Sequence, residues 1–208
     1  MLAPALTEAA VCHIKTSAPH AHAIASPAFF AGHPSLVVTE SSFEGNEEIY
    51  GEGEPAEYIY QVLTGAVRVY KLLSDGRRQI GAFHLPGDVF GIETRATYRV
   101  TAEAIVGATV RLVKRSAVEK VAQSDPRIAC ALWAAASGEL RHAEDHMMLL
   151  GRKTAAERVA TFLLEMDGRL ANGAARSLPM CRRDIGDYLG LTLETVSRAI
   201  SALQAKGV

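Results

Sequence analysis

Small and apolar residues in the segment 181–205 stand at the offsets of two short helices that cross beside a tight turn. Gly186 is small where the helices would cross, and Gly190 suits a turn that needs a left-handed backbone. Thr192 stands where its hydroxyl caps the second helix. The inner apolar face comprises Ile185, Leu189, Leu191 and Val196. The pattern predicts a helix-turn-helix, a motif that reads a DNA major groove.

Three polar residues of the second predicted helix, Glu194, Ser197 and Arg198, share one face through i, i+3 and i+4 spacing. An arginine bonds guanine O6 and N7 together, a glutamate accepts from a cytosine amino group, and a serine tolerates several bases. Alternatively, Glu194 and Arg198 form only a surface ion pair worth roughly 0.3 kcal/mol. Within this motif we expect base readout. The expected contacts to the DNA backbone are Arg182, Arg183, Thr192 and Thr195.

Charge is distributed unevenly along the 208 residues, whose formal net charge is −1. Residues 152–208 carry nine Lys/Arg and six Asp/Glu, a net charge of +3 that leaves −4 on the rest. The basic excess therefore coincides with the predicted DNA-binding unit, although it is small. No stretch approaches the roughly 18 unbroken apolar residues of a membrane span, and the start lacks a signal-peptide pattern. We expect a cytoplasmic protein that does not contact a membrane.

Short β-prone runs separated by turn residues fill the middle of the chain. Strands are predicted at 36–39, 58–63, 66–72, 78–84 and 108–113, and the turns include Thr64-Gly65 and Asp75-Gly76. Many short strands with regular turns predict a small β-roll or barrel. Residues 1–35, rich in Ala, Pro, Ser and His, are read as a leader.

A long helix follows, with Asp125 and Pro126 in an N-cap and first-turn pattern. Apolar residues recur at steps of three and four, close to a heptad seam: Ile128, Leu132, Ala136, Leu140, Ala143, Met147 and Leu150. Because the seam is longer than a small roll needs to cover itself, we favour a dimerisation helix over an ordinary core helix. A second helix is expected up to about Leu170.

The segment 185–198, Ile-Gly-Asp-Tyr-Leu-Gly-Leu-Thr-Leu-Glu-Thr-Val-Ser-Arg, resembles the recognition region of the CRP/FNR family of bacterial regulators, and the likeness covers about 40–208. The resemblance implies an α+β fold with a leader (1–35), a double-stranded β-roll like that of cyclic-nucleotide-binding domains (36–123), a dimerisation helix (124–151) and a winged helix-turn-helix domain (152–208). The sequence ends at Val208, so the wing is expected to be truncated.

The lack of ligand signatures points to a FixK-type branch. Cysteines at 12, 130 and 181 do not supply the four thiolates of an iron–sulfur cluster, and Glu144 on the long helix would repel a nucleotide phosphate. The resemblance implies a homodimeric activator without a cofactor, acting on genes of microaerobic respiration. It implies a TTGA-like half-site in a palindromic double-stranded DNA. It also implies contact between RNA polymerase and the roll surface formed by Asp75, Gly76, Arg77 and Arg78.

Cys181 is a candidate redox switch, because it precedes two arginines at a helix start, near the expected phosphates. The alternative is a cap residue without a regulatory role. Cys130 is expected to be packed. His142 and His146 are four residues apart, a zinc-compatible spacing, but without a third ligand we expect solvated side chains and no metal.

Two other functions remain open. One is an effector-gated relative that binds a nucleotide or another small ligand in the roll. The other, a cupin-like metalloenzyme, is disfavoured because only His84 lies in the predicted strands. We therefore expect a regulator and not an enzyme.

Overall fold

The computed structural model describes residues 33–170 and 177–205. The strands are β1 Val38–Phe43, β2 Glu48–Tyr50, β3 Tyr58–Leu72, β4 Arg78–His84, β5 Val89–Phe90 and β6 Thr101–Lys114; the helices are α1 Arg115–Ala122, α2 Pro126–Arg152, α3 Ala155–Leu170, α4 Arg182–Leu189 and α5 Leu193–Ala205. The predicted order of a β-roll, a long helix and a helix-turn-helix is confirmed.

Two long strands, β3 and β6, form the centre of the sheet, whose order is β1-β6-β3-β4 with β2 on β6 and β5 on β3. The predicted turn at Thr64-Gly65 is wrong, because β3 continues through these residues and pairs with β6 in an irregular antiparallel register. Gly65 has a φ of 79°, and a Cβ there would lie 2.4 Å from the carbonyl oxygen of Gly107. The glycine therefore permits a close approach of the two strands. The predicted turn at Gly76, with a φ of 82°, is confirmed.

The interior of the roll is filled by aromatic rings. Tyr50 stacks on Tyr98 with ring centroids 3.7 Å apart, and Phe90 stacks on Tyr60 at 5.2 Å. The Tyr98 hydroxyl donates to the backbone carbonyl of Tyr58 over 2.8 Å. Buried tyrosines need such partners, because an unpaired hydroxyl in an apolar core is costly. The chain's own side chains thus fill much of the roll.

The long helix α2 begins where the sequence predicts, with the Asp125 carboxylate accepting from the backbone N–H of Arg127 over 2.9 Å. The short helix α1 before it was not predicted. It follows β6 directly, and no side chain caps its start, so the sequence lacks an N-cap signal there. Val118 and Val121 of α1 are buried against Ile128 of α2 in one apolar cluster.

The helix-turn-helix unit shares a hydrophobic core with the roll. Phe83 of β4 lies 6.0 Å from Phe162 of α3 and 5.2 Å from Tyr188 of α4, measured between ring centroids. All three rings are almost completely buried. We call the unit formed by α3, α4 and α5 the head. Head and roll are therefore packed together, whereas the sequence suggested only that one follows the other.

Cys12 and residues 1–32 of the predicted leader lie outside the described residues, as do 171–176 and 206–208. Within 33–170 and 177–205, no helix combines the length and the apolar character that crossing a bilayer requires.

Candidate nucleic-acid interface

The crossing of α4 and α5 explains the two glycines of the motif. A Cβ on Gly186 would lie 2.7 Å from the carbonyl oxygen of Leu191, closer than real Cβ atoms come to backbone. Gly190 ends α4 in the left-handed conformation, with a φ of 63°. Ile185, Leu189 and Val196 are buried, as the pattern predicts. The predicted helix-turn-helix is therefore present in the structure.

The first turn of α5 is exposed and capped. The Thr192 hydroxyl accepts from the backbone N–H of Thr195 over 3.3 Å. Glu194 beside it has a lowered pKa, because its own backbone N–H and the Thr192 hydroxyl bond its carboxylate and because Arg198 and Arg183 lie nearby. The side chain is therefore ionised at neutral pH and only accepts hydrogen bonds. That is the property needed to recognise a cytosine amino group.

The structure brings the predicted base-reading and phosphate-contacting residues together. Arg198 and Glu194 are exposed, Ser197 is half-buried, and all three lie on the outer face of α5. Arg182, at the start of α4, reaches across with Nη1 3.4 Å from Ser197 Oγ. Arg183 is also exposed and acts electrostatically on Glu194, so both arginines flank the outer face of α5. This arrangement places cations beside the edge that would enter a groove.

Cys181 is exposed and precedes α4. Its backbone N–H and its thiol both donate hydrogen bonds to Asp184 Oδ2, each over 3.2 Å. The predicted position at a helix start is thus observed, and the sequence reasoning missed the carboxylate that the thiol contacts. Asp184 is itself buried, with 3% of its surface exposed.

Asp184 also receives two arginines from the roll. Arg68 Nη1 donates to Asp184 Oδ1 over 3.1 Å and Arg78 Nη2 donates to the same oxygen over 2.6 Å. Arg78 further pairs with Asp187, and its side chain is only 20% exposed. Arg78 therefore belongs to the contact between roll and head, unlike the exposed Asp75 and Arg77 with which the sequence grouped it. The free hairpin surface at this turn is correspondingly smaller than expected.

The expectation that His142 and His146 are solvated is wrong. His142 is buried, and the ring of His146 stacks on Tyr188 with centroids 4.0 Å apart. Burial lowers the pKa of both imidazoles, with Arg169 adding to the effect at His142. They pack where α2 meets the head. Among the described residues, no group of three or more potential ligands could hold a metal ion.

One face of α2 is exposed and apolar. Trp133, Leu140 and Met147 recur every seven residues with 77%, 62% and 64% of their surfaces exposed. Ala136 and Ala143, of the predicted seam, lie between them and are exposed. This arrangement is typical of a coiled-coil seam that packs against a second helix. We call these five residues the α2 stripe.

Three other members of the predicted seam lie elsewhere. Ile128 is buried in the core of its own chain, and Leu132 packs against that core. Leu150 is half-buried and lies beside Gly190 of the head, where a Cβ would be 3.8 Å from the Leu150 side chain. The reason is the helical period: Ile128, Ala135, His142 and Leu149 form the buried face, and the α2 stripe is offset from it. Cys130 is exposed, so the expectation that it is packed is also wrong.

Three further residues were not predicted from the sequence, namely Leu193 on α5, Trp133 on α2 and Arg68 on β3. Leu193 is 39% exposed at the start of α5, between Thr192 and Glu194, where an apolar side chain could contact a thymine methyl group. Trp133 lies in the α2 stripe, and its position one heptad before Leu140 was a usable signal. Arg68 gave no signal, because an arginine in an alternating strand reads as solvent-facing.

Comparison with protein families finds two matches. Residues 40–125 match a cyclic nucleotide-binding domain, and residues 157–208 match a Crp-like helix-turn-helix domain.

Individual relatives agree with these matches. The chain is 49% identical over 186 residues to the nitrogen fixation regulation protein FixK of Azorhizobium caulinodans, an alignment that covers 85% of this chain and 75% of the relative. It is 43% identical over 162 residues to the transcriptional activatory protein AadR of Rhodopseudomonas palustris, covering 76% and 68%. The solved structure of FixK2 from Bradyrhizobium japonicum superposes with a TM-score of 0.80 at 70% identity, covering 83% of this chain and 87% of that one.

Proposed function

Since the chain belongs to the CRP/FNR family of DNA-binding transcription regulators, in its FixK-type branch, we propose that it activates transcription as a homodimer bound to a palindrome of TTGA-like half-sites. The observation that carries the proposal is the outer face of α5, where Glu194, Ser197 and Arg198 are presented together beside Arg182. The α2 stripe supplies the surface for the second copy, because three large apolar side chains would otherwise remain in water.

The proposal assigns roles to the individual side chains. Arg198 bonds guanine O6 and N7, the ionised Glu194 accepts from a cytosine amino group, and Ser197 adds a contact that tolerates several bases. Phosphates are bonded by the two arginines that begin α4, by Thr192 just before α5 and by Thr195 in its first turn. These contacts fix the orientation of the head on the duplex without selecting sequence.

RNA polymerase is the proposed partner of the β3–β4 turn. Asp75 and Arg77 pair with one another there over 2.7 Å, exposed at the tip of the hairpin. The proposed surface comprises Asp75, Gly76 and Arg77, since Arg78 is engaged by the head. We place the protein in the cytoplasm, acting on genes of nitrogen fixation and microaerobic respiration.

Cys181 is the proposed point of redox control. Peroxide converts the thiol to a sulfenic acid with release of one water, and a second peroxide gives the sulfinic acid and a second water. At neutral pH the sulfinate is negative. It would stand next to the Asp184 carboxylate, which now accepts from the thiol, and near DNA phosphates that Arg182 and Arg183 attract. Oxidation is therefore expected to oppose DNA binding.

Footprinting and fluorescence anisotropy test the proposal. The probe is a labelled duplex with TTGA and TCAA half-sites, and the control duplex has the same composition with scrambled half-sites. At one fixed salt concentration we expect the palindrome to bind at least about 1,000-fold more tightly, the lower range of specific regulators. Equal affinity for the two duplexes would contradict sequence-specific binding.

An effector-gated regulator is the second candidate function, and one observation favours it. A cavity of about 670 Å³ lies between the roll and α2, lined in part by Tyr98, Glu93 and Glu139. Among the described residues that line it, Arg99 is the only arginine or lysine, and it already donates to Glu93 over 2.9 Å. A nucleotide phosphate would thus meet carboxylates. Calorimetric titration with cyclic AMP distinguishes the candidates, since saturable heat together with tighter operator binding would favour the effector.

A further inference from the structure

The outer surface of the roll sheet is a docking face for α4. Arg68 projects from β3 on the face away from the aromatic roll core, and it is buried beneath the head. Its guanidinium bonds the carboxylates of Glu103 and Asp184 and, over 2.9 Å, the side-chain oxygen of Asn46. Arg68 therefore joins the roll's own polar groups to the first helix of the DNA-reading motif.

Arg78 makes the second connection from roll to head. Its Nη2 donates to Asp184 over 2.6 Å, its Nε donates to Asp187 over 2.9 Å, and its guanidinium lies 5.4 Å above the ring of Tyr70. Each group is held on more than one side, which favours a single geometry. We call Arg68, Arg78 and Asp184, with Asp187, the latch.

Two further contacts hold the same interface. Gln79 donates to the backbone carbonyl of Tyr188 over 3.3 Å. Arg169, at the end of α3, donates to the backbone carbonyl of Phe83 over 2.8 Å and to the Asp88 carboxylate over 2.5 Å. Apolar packing of Phe83 against Tyr188 brings the surfaces together. Because such packing is non-directional, it fixes the rotation of the head less well than charge-assisted hydrogen bonds do.

Head orientation has a direct consequence for a dimer on a palindrome. Each inserted base pair moves the second half-site by about 3.4 Å and rotates it by about 35° around the duplex. Two rigidly oriented heads match one separation of the half-sites. Heads held only by the connection between α2 and α3 could bind half-sites at several separations, but each binding event would then cost more conformational entropy. Rigidity therefore determines both affinity for the palindrome and discrimination between spacings.

We propose that the latch fixes the orientation of the recognition helix α5 and thereby sets the half-site spacing that the dimer accepts. Its members are Arg68 and Arg78 of the roll and Asp184 and Asp187 of α4. The inference rests on the proposed dimeric binding to a palindrome. It gives the roll a role in positioning the head that needs no bound effector. The latch residues act through the head and are positioning residues.

Arg78→Gln is the primary variant, because it removes the charge pairs to α4 and leaves the buried contacts of Arg68 in place. Arg111→Gln is the matched control: its side chain is 24% exposed, close to the 20% of Arg78, and it pairs over 2.9 Å with Glu40 inside the roll. Anisotropy is measured at fixed salt on a single TTGA half-site and on palindromes whose spacers differ by one base pair.

We expect Arg78→Gln to weaken binding at the preferred spacing by about tenfold and to flatten the dependence on spacing, because the heads are less rigidly preorganised. The affinity for the single half-site should stay within about twofold of wild type, since a single head can bind whatever its orientation relative to the other head. Arg111→Gln should match wild type on every duplex. Wild-type behaviour of Arg78→Gln would overturn the proposal, as would equal losses on half-site and palindrome.

A double-mutant cycle that combines Arg78→Gln with Asp187→Asn distinguishes loss of the Arg78–Asp187 contact from a general folding defect. If Arg78 acts through α4, the double variant should lose no more spacing discrimination than the worse single variant, and thermal unfolding is recorded for each protein. Additive losses would overturn the proposal. If wild type itself shows no preference for the palindrome over the half-site, the proposed function fails first, and the inference fails with it.

Discussion

Gly186 lies against the backbone of Leu191, where a Cβ would come within 2.7 Å of the carbonyl oxygen. The contact closes the crossing of α4 and α5, and the Leu191 N–H donates back to the Gly186 carbonyl over 2.9 Å. Both partners are backbone, so neither can move aside as a flexible side chain would. The position of the recognition helix on the head therefore depends on the absence of a side chain at residue 186.

Gly186→Ala should lower the free energy of unfolding by about 1–3 kcal/mol, the usual cost of overpacking a close contact. Gly168→Ala in α3 is the control, because a Cβ there meets nothing within 4 Å and alanine favours a helix by up to about 1 kcal/mol. Urea unfolding measures both. If Gly186→Ala were as stable as Gly168→Ala, the contact between residue 186 and the Leu191 backbone would not limit how closely α4 and α5 pack.

Cys181→Ser should make DNA binding insensitive to peroxide. In the wild type we expect peroxide to abolish the anisotropy change on the palindrome, because a sulfinate places a negative charge beside Asp184 and the phosphates. The serine hydroxyl can replace the thiol as a donor to that carboxylate, so the reduced proteins should bind alike. Cys130→Ser, at the other cysteine that is exposed within 33–170 and 177–205, should stay peroxide-sensitive. Equal loss of binding in all three proteins would refute the switch.

Leu140→Glu should convert a dimer to a monomer, because it places a charge in the middle of the α2 stripe. Leu164→Glu is the matched control, since Leu164 is 67% exposed on α3 and lies outside the stripe. Size-exclusion chromatography with light scattering gives the mass of each protein. A dimer of Leu140→Glu as stable as that of the control would show that the second copy docks elsewhere.

Stability should fall in mild acid because of His142. Burial lowers its pKa, so between about pH 6.5 and the lower folded-state value the unfolded chain binds more protons and the folded state loses stability as the pH falls. Above about pH 6.5 this contribution is fully present. His142→Asn should show a flatter pH dependence of the free energy of unfolding than wild type below that pH. Identical pH slopes would exclude His142 as the cause.

The helix-turn-helix and the long helix were predictable because their signals are local. Glycines, caps and apolar spacing around Gly186 and Asp125 specify each element within a few residues. The same holds for the hairpin at Gly76. Only the likeness to a known family supplied the arrangement of roll, helix and head.

The contact between roll and head was not predictable, because it depends on residues distant in the chain. Arg68 and Asp184 are 116 positions apart, and each reads as an ordinary surface charge in its own element. His142 likewise reads as solvated until Tyr188 is placed beside it. The faces of α2 were only partly predicted, since a pattern of threes and fours does not say which side meets the chain's own roll.

Sequence-specific binding depends above all on Arg198, which is proposed to bond a guanine. The direct measurement is a cycle of wild type and Arg198→Ala on the palindrome and on a duplex with the half-site guanines replaced by adenine, at one salt concentration. Arg182→Ala, which removes a proposed phosphate contact, is the control and should weaken binding to both duplexes equally. We expect wild type to lose about 1–3 kcal/mol of binding free energy per half-site on the altered duplex, and Arg198→Ala to bind the two duplexes alike. Undiminished preference for guanine in Arg198→Ala would contradict it.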